Sequence, residues 1–189
     1  MEDTSIRFSL LRGRDDSRLT KSYCLDENGS IRKVSAPNFI GGTAETVTIT
    51  ELSDIESTIN DLKPTECLAT GLFDSTPGEI VTAGQLDEAG LNAGLRSRTK
   101  EHMRQPDLGL ALLDHDISPD MPDRLRCDSP GALMSKLQDA VPGLEYAAYS
   151  GTGSCSSGIY NTATGEPYPG GGFHIDIAIK GIDPEALRR

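Results

Sequence analysis

A chain of 189 residues is long enough for one sizeable hydrophobic core or two small ones, and 36% hydrophobic with 25% charged residues is ordinary for a soluble globular protein. The formal net charge of −11 disfavours non-specific adhesion to nucleic-acid phosphates, because such binding needs Lys and Arg side chains that displace condensed counterions. The start of the chain is acidic and no run approaches the ~20 apolar residues that cross a bilayer, so we expect a cytoplasmic protein.

Cations are nevertheless grouped at two places in the chain. The first group is Arg7, Arg12, Arg14, Arg18 and Lys21, and the second is Arg96, Arg98, Lys100 and Arg104. A solvated charged face is the more ordinary explanation of either group taken alone. Any contact with nucleic acid must still use a local basic group of this kind.

The N-terminal part alternates short apolar segments with turn signals. The apolar segments lie at residues 5–11, 19–25 and 31–34, and the pair Asn28-Gly29 precedes the last of them. Short apolar segments separated by an Asn-Gly turn predict a small β-meander.

A strand and a helix follow. Val47 and Ile49 alternate with threonines, which predicts a strand. Residues 53–56 (SDIE) have the pattern of a capping box, and they predict a helix of about ten residues that ends before Pro64. We therefore expect residues 1–71 to form a small strand-helix unit, the α/β lead-in of a larger domain.

Residues 72–106 are rich in glycine and poor in apolar side chains, so we expect loops, one short helix and a junction between subdomains. Residues 107–189 return to regular structure. The predicted elements are a buried strand at 108–113, a helix that begins after Ser129 and ends before Pro142, a strand at 145–149, a Gly- and Ser-rich loop at 150–158, a hairpin-like stretch up to 172 and a strand at 173–179. A last helix start near Asp183 lies so close to the end that we expect the chain to be part of a longer protein.

Two acidic side chains end the first of these strands. Asp114 and Asp116 are two residues apart, so both point to one face, whereas His115 points away and is interpreted as structural. Two nearby carboxylates favour a hard divalent cation such as Mg²⁺ or Mn²⁺, and phosphoryl transfer uses that arrangement. A single D-x-D after an apolar strand is, however, more often a polar strand end than a metal site.

The final strand also divides its side chains between two faces. Phe173, Ile175 and Ile177 share an apolar face, and His174 and Asp176 share the other. A lone histidine on such a strand is more often a satisfied core residue, but two ionisable groups on one face need partners. The preceding Gly- and Ser-rich loop is compatible both with a phosphate-binding loop and with a flexible connector.

Taken in order, four segments resemble the archaeo-eukaryotic primase superfamily, particularly the bifunctional primase-polymerase domains of plasmids and phages. The segments are LRSRTKEHM, LGLALLDHDISPDMP, YSGTGSCSSGIY and ATGEPYPGGGFHIDIAI, and they span residues 95–180. The resemblance implies an α+β fold whose RRM-like catalytic unit (residues 107–189) is incomplete at its C-terminal end. It also implies that the strand with the aspartate pair lies beside the last strand.

The resemblance further implies a DNA primase or polymerase activity, a nucleotidyl transfer that depends on Mg²⁺ or Mn²⁺ and acts in plasmid or phage replication. Its partners would be nucleoside triphosphates, a single-stranded DNA template and a helicase domain in the full-length protein. The implied catalytic residues are Asp114 and Asp116 as metal ligands and His174 against the nucleotide phosphates, with Ser150, Ser154, Ser156, Arg98 and Lys100 as further nucleotide-binding residues. Strand geometry adds Asp176, on the face of His174, as a third carboxylate for the metal.

The sequence departs from the family pattern at two points. The family usually has a serine two residues before the histidine, where this chain has Gly172, and the third acidic motif is expected beyond the end of the chain. Two alternatives therefore stay open: a catalytically inactive primase-fold module that binds nucleic acid, and a nucleotide-sugar glycosyltransferase, whose D-x-D also follows an apolar strand.

Overall fold

A computed structural model describes residues 4–35, 38–73, 79–89, 94–99, 101–118, 120–168 and 171–181. It mixes strands and helices in separate segments, which confirms the expected α+β class. None of the helices in these ranges is long and apolar enough to cross a membrane.

The elements are as follows. In chain order the strands are β1 (Ile6–Gly13), β2 (Ser22–Leu25), β3 (Ile31–Val34), β4 (Gly41–Ile49), β5 (Glu66–Ala69), β6 (Leu72–Phe73), β7 (Glu79–Val81), β8 (Arg96–Ser97), β9 (Met103–Arg104), β10 (Leu108–Ile117), β11 (Tyr149–Gly153) and β12 (Gly171–Lys180). The α-helices are α1 (Asp54–Asn60), α2 (Ala83–Ala89) and α3 (Pro130–Ala140), and short 3₁₀ turns occur at Arg14–Asp16, Asp123–Leu125 and Leu144–Tyr146.

The chain forms two compact units. Unit 1 comprises Met1–Thr20, Ser35–Ala111 and Ala178–Arg189, and unit 2 comprises Lys21–Val34 and Leu112–Ile177. The sequence predicted contiguous units with boundaries near residues 71 and 107, whereas each of these two units is built from segments that are not contiguous in sequence. The described residues of the segment 72–106, which we expected to be a junction, belong to unit 1.

Unit 1 is built on a five-stranded sheet in the order β5-β1-β4-β7-β8. Its central strand β1 pairs antiparallel with both β4 and β5. One face of the sheet buries Phe8 of β1 against Ile55 of α1 and Leu110 of β10, and the other buries Leu11 against Ile80 of β7. A fully buried side chain of this size contributes about 1.5–3 kcal/mol, so β1 anchors this unit by packing on both faces.

Two sequence predictions about the N-terminal part are wrong. Strand β1 is not part of a meander with β2 and β3, because its partners β4 and β5 lie far along the chain. Helix α1 is shorter than predicted, and Ser53 makes no capping hydrogen bond because its own backbone is already helical. The predicted turn between β2 and β3 is confirmed, with Gly29 at a φ of 77° that favours glycine.

Unit 2 contains the β2–β3 hairpin, helix α3 and most of a three-stranded sheet in the order β10-β12-β11. Helix α3 begins as predicted, since the Ser129 hydroxyl accepts a hydrogen bond from the Ala132 N–H at 3.2 Å. Pro130 lies against Gly151 of β11. Gly151 pairs with Ile175 of β12, so α3 covers the apolar face of the sheet and leaves the opposite face for polar side chains.

The predicted strand at 145–149 is wrong. Residues Leu144–Tyr146 form a 3₁₀ turn, and the strand begins only at Tyr149 and continues to Gly153. The first half of the expected Gly- and Ser-rich loop is therefore a strand, which pairs antiparallel with β12. Backbone hydrogen bonds to a neighbouring strand compensate for the low strand propensity of glycine and serine.

Candidate active site on the three-stranded sheet

Strands β10 and β12 lie side by side, which confirms the predicted contact between the aspartate strand and the histidine strand. The Gly181 N–H, just after β12, donates to the Asp107 carbonyl, just before β10, at 3.0 Å. At the other end, Gly172 near the start of β12 lies against His115 near the end of β10. The strands therefore run antiparallel, in a register that sets Asp114 opposite His174.

The side chains of Asp114 and His174 contact each other across these strands. The His174 Nε2 lies 3.3 Å from the Asp114 Oδ1, and the two side chains are 31% and 56% exposed. Directly opposite residues on one face are within reach of a hydrogen bond or ion pair. Two residues far apart in sequence thus meet on a face of the sheet that a ligand can reach from solvent.

Asp116 points to the same face, two residues beyond Asp114, and it is exposed. The register sets it opposite Gly172. A Cβ atom at Gly172 would lie 2.1 Å from the His115 carbonyl oxygen and 3.1 Å from the Asp116 Cα. Only glycine fits this close approach of two backbones, which explains why position 172 does not carry the serine that the resemblance implies.

Two buried polar groups lie next to His174. Thr152 of β11 pairs with His174, and Asp176 follows two residues later on the same face. Thr152 is 9% and Asp176 is 5% exposed, and the Thr152 Oγ1 and Asp176 Oδ2 atoms have no hydrogen-bond partner within the described ranges. Burial raises the pKa of Asp176, and the neighbouring His174 opposes that rise.

The proposed role of Asp176 as a third metal ligand stays a prediction. Within the described part of the chain, no group of three or more His, Cys, Asp and Glu side chains is arranged to hold a metal ion. A carboxyl group whose pKa is raised by burial also gives up its proton less readily, and a metal ligand must be deprotonated. The two exposed carboxylates of β10 are the better candidates.

The three predicted serines lie in different surroundings. Ser150 pairs with Asp176 and is half-buried. Ser154 and Ser156 are buried, and their hydroxyl groups are 2.9 Å apart in a mutual hydrogen bond. Ser157, which the sequence did not single out, donates its hydroxyl to the Gly172 carbonyl. The Ser157 hydroxyl and the Ser154 backbone N–H, which also donates to the Gly172 carbonyl, thus hold the turn after β11 against the start of β12.

His115 points away from the aspartates, as its alternation predicted. Its ring packs on Phe173 with ring centroids 4.9 Å apart, on the apolar face of the sheet. The sequence pattern did not single out Thr152, which faces the same side as His174. Reading YSGTG as a strand would have set Ser150 and Thr152 on one face and revealed it.

Arg98, one of the two predicted basic residues, belongs to unit 1. The Arg98 guanidinium lies over the Phe39 ring, 5.5 Å from its centroid, and Lys100 lies outside the described residues. In the N-terminal basic group, Arg12 is paired with Glu45 and Glu66. That group is therefore partly neutralised by acidic neighbours.

No protein-family model, no curated protein and no solved structure matches this chain. The assignment of a function therefore depends on the geometry of the site and on the motifs that occupy it.

Proposed function

We propose that this chain is the catalytic part of a DNA primase-polymerase, which joins nucleotides on a single-stranded DNA template in plasmid or phage replication. The observation that carries the proposal is the contact between the partly exposed side chains of Asp114 and His174 on one sheet face, with Asp116 beside them. This face combines two groups that bind a hard cation with one that donates to a phosphate. A nucleoside triphosphate and its metal need both kinds of group.

The topology of the sheet also supports the proposal. Strands β10 and β11 each run antiparallel to β12, which lies between them, so they are parallel to each other. Helix α3 connects them. This is a split β-α-β arrangement, a feature of ferredoxin-like folds and of the RRM-like unit that the resemblance implies.

The residues fit Mg²⁺ or Mn²⁺ at Asp114 and Asp116. Such an ion takes one or two protein carboxylates and fills its remaining positions with water and substrate phosphates, so no third protein ligand is needed. Asp116 is exposed and has no ion-pair partner among the described residues, so it is free to bind a cation. When bound, the metal neutralises charge on the phosphates and lowers the barrier to attack by a 3′-hydroxyl.

His174 is in a position to hold the nucleotide. Its Nε2 atom faces the exposed end of the aspartate strand, where an N–H can be donated to Asp114 or to a phosphate oxygen. Thr152 and Ser150 lie next to it on the adjoining strand, and Thr152 has a buried hydroxyl without a partner in the described ranges. We assign His174 to the phosphates of the incoming nucleotide. As part of the proposal, the protein acts in the cytoplasm together with a helicase domain.

Primer synthesis on single-stranded DNA, measured with Mg²⁺ and with Mn²⁺, tests the proposal. We expect Asp114→Asn combined with Asp116→Asn to abolish synthesis, because the amides cannot replace two anionic ligands. Asp87→Asn combined with Asp139→Asn removes the same charge from exposed positions on α2 and α3 and should leave synthesis unchanged. Undiminished synthesis by the Asp114/Asp116 variant would refute the mechanism.

A nucleotide-binding assay separates the alternatives. We expect metal-dependent binding of nucleoside triphosphates, weakened about tenfold by His174→Gln, which loses a hydrogen bond to a charged group. Preferential binding of UDP-sugars would identify a glycosyltransferase instead. Binding of single-stranded DNA without any metal-dependent nucleotide binding would identify an inactive primase-fold module.

A further inference from the structure

Unit 1 contains a cavity that the proposed active site does not use. It has a volume of about 330 Å³ and lies where the start of β1, the end of β9, the start of β10 and the end of β12 meet. Its charged lining residues are Arg7, Arg104, Lys180 and Asp107, and Ser5, Leu108 and Gly181 complete the lining. In a chain with a net charge of −11, three cations around one cavity form a local positive field.

Two of these cations have no partner in the part of the chain that the structure describes. Other arginines of unit 1 are engaged: Arg12 with two glutamates and Arg14 with Glu79. Among the described residues, by contrast, the guanidinium groups of Arg7 and Arg104 have no ion pair or hydrogen bond. Two unpaired guanidinium groups that line one cavity repel each other, and a bound anion would relieve the repulsion.

We propose that this cavity binds a phosphate group. A guanidinium group offers parallel N–H donors that match two oxygens of a phosphate, and Arg7 and Arg104 lie on different strands, so they can approach one phosphate from different directions. The volume accommodates a ligand from phosphate up to the size of a mononucleotide. Asp107 lines the same cavity, and its negative charge repels an anion, so we expect a moderate affinity. Removal of the Asp107 charge should therefore strengthen binding, whereas removal of an arginine charge should weaken it.

The proposal is independent of the proposed primase function, because all residues of the cavity belong to unit 1 and none belongs to the site on the sheet face. The phosphate has three possible sources: free inorganic phosphate, a mononucleotide or the backbone of single-stranded DNA. These share one chemistry at the guanidinium groups and differ in what surrounds the phosphate.

The test is an NMR titration of the arginine Nε–H signals with inorganic phosphate, deoxyadenosine monophosphate and a single-stranded oligothymidylate, each at constant ionic strength. We expect saturable shifts of the Arg7 and Arg104 signals, and the probe with the highest affinity identifies the source. Arg7→Gln and Arg104→Gln should each weaken binding about tenfold. Asp107→Asn should strengthen it about threefold.

Arg18→Gln is the matched control, since Arg18 is an exposed arginine of unit 1 that does not line the cavity. Equal weakening by Arg18→Gln, or no shift of the Arg7 and Arg104 signals with any probe, would overturn the proposal. If Arg7→Gln disturbs β1, Arg104→Gln at an exposed position of β9 still decides the outcome. Loss of phosphate binding in the Asp114/Asp116 variant would assign the binding to the sheet face and would also overturn it.

Discussion

Gly172→Ala tests the close approach of the two strands that carry the candidate site. The added Cβ atom would lie 2.1 Å from the His115 carbonyl oxygen, and that oxygen belongs to backbone that cannot rotate away. Overpacking of this kind costs about 1–3 kcal/mol. For a chain of this length, each kcal/mol lowers the melting temperature by about 2–4 °C, so we expect a loss of about 2–12 °C.

Gly131→Ala provides the matched control. Gly131 lies in helix α3, and its nearest neighbour to an added Cβ atom is the Tyr149 hydroxyl at 3.8 Å, an ordinary contact. Replacement of a helical glycine by alanine stabilises a protein by about 0.5–1 kcal/mol. Calorimetry should therefore show opposite signs for the two variants. A melting temperature of Gly172→Ala equal to or above that of the unchanged protein would refute the strand register.

Gly172→Ala should also affect the candidate site, because Gly172 lies against the strand that carries the two aspartates. If the strands separate at Gly172, Asp116 and its neighbour Asp114 move away from His174. Nucleotide binding should then weaken together with stability, whereas Gly131→Ala should leave nucleotide binding unchanged. Gly172→Ser, which introduces the serine usual in the superfamily that the motifs resemble, should behave like Gly172→Ala because its Cβ atom meets the same carbonyl oxygen.

Two further predictions concern ionisable groups of unit 1. The backbone N–H of Lys63 and the guanidinium group of Arg12 hold the pKa of Glu66 below its ordinary value. Glu66 therefore contributes stability above the ordinary glutamate pKa of about 4.3, and this contribution is lost as the pH falls through the lower, folded-state pKa. Urea unfolding should show that Glu66→Gln loses less stability between pH 6 and pH 3 than the unchanged protein, and equal losses would contradict the assignment. Burial raises the pKa of the Cys67 thiol, so mass spectrometry should find slower alkylation by iodoacetamide at pH 8 than at the exposed Cys24; faster alkylation of Cys67 would contradict this.

The sequence was most informative where local signals decide the structure. The alternation along β12 predicted which side of the sheet is apolar, and Ile175 is fully buried there. Ser129 followed by Pro130 predicted the start of α3, because an N-cap hydroxyl and a proline in the first turn need only neighbouring residues. The spacing of Asp114 and Asp116 predicted a shared face for the same reason.

Non-local pairing explains what the sequence did not predict. β1 was grouped with β2 and β3, its neighbours in the chain, although its hydrogen bonds go to β4 and β5. Strand β11 was assigned to a loop because its glycines and serines have low strand propensity, which β12 overrides by pairing with it. The burial of Asp176 also depends on its surroundings in the folded chain, so the residues next to it in sequence do not predict it.

Metal-dependent nucleotide binding is the decisive property of the proposed site, since it needs the carboxylates and the histidine to act on one ligand. Binding of Mn²⁺ with a nucleoside triphosphate can be followed by the loss of the free Mn²⁺ signal in electron paramagnetic resonance. We expect the unchanged chain to bind the complex, His174→Gln to bind it more weakly and the Asp114→Asn, Asp116→Asn variant not to bind it. Equal binding by all three proteins would show that these side chains do not form a nucleotide site.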